Sequence, residues 1–238
     1  RIWPILLRSN QTNFPHLLDS KELVFEAELS VDDDYAQLNH GNVSHFITNY
    51  SPDLYIKLLE AVTAGKLDDI SRLQILQERS LLARGNKISS ADLLKTLRFY
   101  NNEVSLSVWD MIGILLGDLK IFIDPDSEAE QKMREFVGNL ARKEFLRLGI
   151  HKKDGENEED TQLRPSIISH MIYAKDRAAI DQALQIYHQA DNVSDIDAEI
   201  RSIVLAVKVQ EDESPELISQ LLQIYKTTAD VDLRDDIS

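Results

Sequence analysis

Histidine is the side chain best suited to hold a metal or move a proton near neutral pH. The chain has six: His16, His40, His45, His151, His170 and His188. None stands in an H-E-x-x-H arrangement, which would place two imidazoles one helical turn apart with a glutamate beside them. His40 and His45 lie an odd number of positions apart in or beside a segment read as a strand, so they point to opposite faces. Ser44 and His45 are adjacent there, and no G-x-S-x-G elbow accompanies them. A turn serine beside a surface histidine is the better reading.

Asp154, Glu156, Glu158 and Asp160 put four acids at alternate positions, as a cation-binding loop would. The template then fails: glycine stands at the second position, and Pro165 occupies the twelfth, where a bidentate glutamate belongs. A solvated acidic loop is expected. Arg142, Lys143, Arg147, Lys152 and Lys153 form the most basic stretch, at and beyond the end of a long helix whose terminal carbonyls favour cations. With eight glycines and no cysteine, the chain has no G-x-x-x-x-G-K-[ST] loop, no G-x-G-x-x-G, no disulfide and no thiolate-ligated metal. Four N-x-[ST] sequons occur, at Asn10, Asn42, Asn49 and Asn192; two fall in or beside expected strands and are read as chance.

The elements that carry these residues follow from composition and period. Hydrophobic residues make up 43% of 238, enough for a sizeable core. Lys plus Arg number 26 against 41 Asp plus Glu, a net charge of −15, which opposes binding to nucleic acid or anionic lipid. No run of 18 apolar residues occurs, so no membrane span is expected. The lack of cysteine and of a signal-like segment points to a cytoplasmic protein. Arg1 as first residue suggests a piece of a longer chain.

Residues 1–50 read as strands: one including Trp3 to Leu7, one over Glu22 to Leu29 by alternation of Leu23, Phe25, Ala27 and Leu29, and one over Ser44 to Tyr50 after the turn Asn39-His40-Gly41-Asn42. At Ser51 the period becomes helical, with Ser51-Pro52-Asp53 as start signal. Helices are expected near 52–64, 68–84, 90–101, 104–122, 126–149, 164–174, 176–190, 195–209 and 215–228. Trp109 and the run Met111 to Leu116 read as a helix buried between layers. The expected fold is mainly α: a HEAT-like α-α superhelix of stacked hairpins over 51–238, preceded by a partial β-sandwich in 1–50.

Several segments in this order resemble the C-terminal part of the aminopeptidase N family of zinc aminopeptidases. Trp3-Pro4-Ile5-Leu6-Leu7 is similar to the W-x-I-P-L strand of that family's small β-sandwich. Asn42 to Tyr50 sits where the family has G-Y-Y-R-V-N-Y-D, with Ile47 in place of its Arg and Ser51 in place of its Asp, a form similar to the lactic-acid-bacterial branch. Arg72 to Arg79, then Leu81-Leu82-Ala83, Gly85 and Ile88-Ser89, resemble R-x-x-L-I-x-D-x-x-x-L-A-x-x-G-x-L-S, the most specific match. Phe122-Ile123-Asp124, Phe145 to Gly149 and Leu163-Arg164 continue the order, so the resemblance covers essentially the whole chain.

The resemblance implies that residues 1–50 are the later strands of the sandwich domain and 51–238 most of the helical domain that forms a bowl over the active site, truncated at its end. H-E-x-x-H and G-x-M-E-N are absent from the sequence, so no catalysis, zinc or other cofactor is expected of this chain itself, while zinc is expected in a missing N-terminal catalytic domain of the same polypeptide. Peptides would be the substrates. A peptide carboxylate calls for Arg or Lys on the inner helical face, and Arg79 and Arg164 are the candidates, on helices otherwise rich in apolar residues. The competing reading gives each a structural ion pair, with Glu78 or Asp176. The alternative function is a stand-alone helical scaffold that binds a protein or peptide on its concave face; a hydrolase using the acidic loop is a third.

Overall fold

A computed structural model describes residues 2–28, 34–212 and 214–238. Among them the chain is mainly α-helical, with ten α-helices and one two-stranded sheet. It divides into two compact units, 1–122 and 123–238.

In the first unit, β1 (Ile5–Leu6) pairs antiparallel with β2 (Leu17–Leu18), Ile5 opposite Leu18. The expected strand over Trp3 to Leu7 is present in this short form. The other two are not: residues 22–28 and 44–50 form no strand, and Leu29 lies outside the described residues. Alternating side chains fix which face is apolar, but a strand also needs a backbone neighbour, and here side chains take that role. Asn39, 1% exposed, accepts from the Ser44 amide through Oδ1 (2.9 Å) and donates from Nδ2 to the Ser44 carbonyl (2.7 Å). Asn39 and Asn42 both have positive φ, a conformation asparagine tolerates. The Leu38 amide donates to the Tyr50 hydroxyl.

α1 (Pro52–Thr63), α2 (Asp69–Arg84), α3 (Ser90–Leu97) and α4 (Leu106–Lys120) complete this unit, with one 3-10 turn over Arg98–Tyr100. The start of α1 uses Pro52 as foreseen, while the Ser51 hydroxyl makes no capping bond. α2 packs against α3 and α4. Leu58, Leu76, Leu97, Tyr100, Trp109, Ile112, Leu115 and Leu116 are all at most 1% exposed. Trp109 is therefore core, as its helix pattern indicates.

The second unit contains α5 (Glu128–Leu148), α6 (Glu158–Tyr173), α7 (Arg177–Gln189), α8 (Ala198–Glu211), α9 (Pro215–Thr227) and α10 (Val231–Ile237). α5 packs on α6, α7 on α8, and α8 also on α6 and α10. Two sequence expectations need correction. α6 starts at Glu158, six residues earlier than read, because Asn157 caps it by accepting from the Asp160 amide (2.7 Å) and its first-turn acids complement the helix dipole. Pro165 sits inside that helix. α10 was not foreseen: it is one short, acidic helix, started by Asp230, whose carboxylate accepts from the amides of Asp232 and Leu233.

Gly149 ends α5 with φ +70° and ψ −179°, a region open almost only to glycine. Its Cβ would meet no heavy atom, so the cost of Gly149→Ala is conformational. The expected result is a loss of about 1–3 kcal/mol in urea unfolding, with the fold unchanged by circular dichroism.

Candidate functional site

Arg79 lies in the third turn of α2, partly exposed. Its guanidinium carbon is 4.0 Å from the centre of the Tyr55 ring, and Tyr55 stacks on Tyr50 with centroids 6.3 Å apart. The attraction is that of a cation for a ring face. No anion reaches Arg79 among the described residues, and its buried Nε has no hydrogen-bond partner. The expected competitor, Glu78, points elsewhere. Tyr55 is fixed from the other side by Thr96 (3.0 Å), and burial pushes the Tyr55 hydroxyl up to about 12.

Glu78 is 7% exposed, with Gln74 at 3% one turn before it. The Gln74 amide nitrogen donates to Glu78 Oε1 (2.9 Å) and to the Leu38 carbonyl (3.3 Å). Burial raises the Glu78 carboxyl above the usual range, against the opposing bonds from Gln74 and the Thr48 amide. A raised acid binds its proton more tightly folded than unfolded, so its contribution to stability falls as pH rises through the window above the ordinary value of 4.5. Glu78→Gln removes that penalty. Its melting temperature is expected to exceed that of the wild type at pH 8, with the difference shrinking at pH 5; a variant less stable at both would contradict this.

These two buried polar residues floor a cleft of about 620 Å³ between α2 and the segment 42–47. Val43, Phe46, Ile47 and Leu81 supply apolar walls, with His45 and Gln77 at the edge. The cleft escapes a reading of sequence because segment 42–47 is an Asn-held loop rather than a strand. The one signal available is the pairing of Gln74 with Glu78 on the buried face of an otherwise amphipathic helix.

Arg164, in the second unit, is 3% exposed on α6. Its Nη1 donates to the carbonyls of Leu148 (2.5 Å) and Gly149 (2.9 Å), and its Nη2 meets the Glu156 carboxylate. Asp176, the expected competitor, pairs instead with Arg142 at 3.0 Å. The acidic stretch is thus partly ordered: Glu156 is held by Arg164, and Asp160 by Arg147, which also pairs with Glu144. Burial opposes ionisation of Glu156, but Arg164 and the Lys153 amide hold its carboxyl below the usual range. Lys153 donates to the Arg147 carbonyl at the end of α5, so this member of the basic stretch complements a helix terminus, whereas Arg142 and Arg147 pair with acidic side chains.

A separate groove of about 790 Å³ in this unit is walled by α5 to α8, with Arg134, Tyr173, Lys175 and Glu211 on its lining. Arg134 pairs with Glu130 at 2.8 Å and lies 5.6 Å from the Tyr173 ring. Among the described residues no three of His, Asp and Glu converge as metal ligands would, and no helix is long and apolar enough to cross a membrane.

Residues 35–237 match the family model described as the ERAP1-like C-terminal domain. The chain is 35% identical to an aminopeptidase N of Lactococcus lactis subsp. lactis (strain IL1403) over 96% of its length, and 32% identical to one of Lactobacillus helveticus over all of it. It spans 27% and 29% of those two relatives. Aminopeptidase M1-B of Oryza sativa subsp. japonica is 23% identical over 82% of the chain. The fold, the order of quoted motifs and these matches agree: the chain belongs to the family of ERAP1-like C-terminal domains.

Proposed function

We propose that this chain is the non-catalytic C-terminal region of a zinc-dependent, cytoplasmic aminopeptidase that removes N-terminal residues from peptides. The carrying observation is that the chain aligns almost end to end with aminopeptidases N yet accounts for little more than a quarter of their length. Residues 1–50 belong to the later part of a β-sandwich, and residues 51–238 form a HEAT-like bowl that caps the active site, excludes folded proteins and orients short peptides. Among the described residues no three of His, Asp and Glu converge as zinc ligands, and on this reading zinc and the hydrolytic step belong to the remainder of the polypeptide.

Of the two arginines, Arg79 is the better candidate for contact with a peptide carboxylate, because the residue is partly exposed and meets no anion among the described residues. Arg164 has its donors engaged by α5 and Glu156, which favours a positioning role. Sequencing the gene upstream of residue 1 tests the proposal. An H-E-x-x-H with a glutamate about 18 residues beyond it, as this kind of zinc site needs, is the expected result. A reading frame without them would overturn it and favour a helical scaffold that binds peptide or protein.

A further inference from the structure

We infer that the cleft between α2 and residues 42–47 is a binding site for an alkylguanidinium or alkylammonium group, the side chain of an arginine or lysine in a bound peptide. The lining carries one carboxylate, Glu78, and no Lys or Arg. Glu78 forms no ion pair among the described residues, although it is 7% exposed. Buried carboxylates are normally paired, because an unpaired charge away from water is costly.

Gln74 adds the second half of the site. It is 3% exposed, and its Oε1 is buried with no hydrogen-bond partner among the described residues. Its orientation is not ambiguous: Nε2 faces two acceptors, Glu78 Oε1 and the Leu38 carbonyl, so Oε1 is the atom left over. Glu78 accepts from Gln74 and from Thr48 but meets no cation among the described residues, and with the orphaned Gln74 acceptor one helical turn away it calls for a ligand that only donates and carries positive charge, which describes a guanidinium or an ammonium. The walls fit the stem of such a side chain. Val43, Ile47 and Leu81 are 44%, 49% and 49% exposed, and with Phe46 they offer apolar surface for methylenes above the charged head.

The source of the ligand, a peptide, rests on the proposed function; the chemistry of the cleft does not. The test is titration of the 238-residue chain with acetyl-arginine methylamide, followed by amide and side-chain shifts in 1H–15N spectra. Acetyl-citrulline methylamide, equal in shape but uncharged, and putrescine, a free diamine, are the comparison ligands. The expected result is saturable binding of the arginine compound with shifts at Gln74 and residues 42–47, at least about tenfold weaker binding of the citrulline compound, and a similar loss in Glu78→Gln. Leu81→Arg, at an exposed rim position, supplies a competing guanidinium and should block binding while the melting temperature stays near that of the wild type.

No saturation by the arginine compound, equal binding of citrulline, or unchanged affinity in both variants would overturn the site. Tighter binding of putrescine than of the arginine compound would overturn the peptide as source. None of these readouts uses hydrolysis, so the proposed function stands or falls separately.

Discussion

Arg164→Met is expected to lower the unfolding free energy by about 3–5 kcal/mol, the cost of breaking a buried ion pair from one side. Three groups lose a partner at once, Glu156 keeping only the neutral Lys153 amide and Thr161 hydroxyl. The Glu156 carboxylate, with a side chain 4% exposed, is left in a dry site, and the carbonyls of Leu148 and Gly149 lose the donor that closes the end of α5. Methionine fills much of the volume, so the loss is electrostatic rather than a cavity. The double variant Arg164→Met with Glu156→Gln should recover part of the loss, because a neutral amide is less costly to bury than an unpaired charge.

The same network sets an acid response. Glu156 is held low against the opposing effect of burial by Arg164, and Asp160 is held low chiefly by its bond to Arg147. Depressed acids contribute stability that is complete above their ordinary values of 4.5 and 3.8 and is lost as pH falls through the lowered ones. The wild type should therefore lose stability steeply below about pH 4.5, and Arg164→Met should show a shallower acid limb. Urea midpoints between pH 3 and pH 7 measure both; parallel curves would contradict the assignment.

Glu103→Ala carries the second large effect, again about 3–5 kcal/mol. Glu103 has a side chain 1% exposed and binds Arg72 through both carboxylate oxygens, at 2.7 and 2.8 Å. Its Oε1 also accepts from the amides of Val104 and Ser105, which lead into α4, and its carbonyl accepts from the Trp109 indole at 3.0 Å. Removal frees a guanidinium and two amides and loosens the tie between α2 and α4. In a double-mutant cycle with Arg72→Met the two losses should be strongly non-additive. Additive losses would show that the pair contributes little beyond packing.

The contrast between helices and strands explains what could be read in advance. Helical hydrogen bonds are local, so Ser214-Pro215-Glu216 or the apolar stripe of α9 announces itself from within the segment. The strand expected over 44–50 depended on a distant neighbour, and the decisive contact, Asn39 around Ser44, is one that alternation of apolar residues does not encode. α6 begins before 164 because the acids that precede that position, which resemble a solvated loop in sequence, form its first turn, with Asn157 as the cap. Arg79 and Arg164 stand out in sequence as charged residues on apolar helices, and burial separates them: one lies over the Tyr55 ring with no anion among the described residues, the other is enclosed by carbonyls and Glu156. Gln74 was invisible as a site residue because its significance lies in one buried oxygen without a partner among the described residues, which no sequence pattern marks.

The central proposal is that this chain is one region of a larger zinc aminopeptidase. Its most direct test is to express the complete gene product, dialyse it, and measure both bound zinc and release of the N-terminal residue from short peptides, beside the same measurements on residues 1–238. One zinc per complete polypeptide and hydrolysis that chelation abolishes are expected, with neither property in the 238-residue chain. A complete product that holds no stoichiometric zinc, or that leaves peptides intact when zinc is bound, would contradict it.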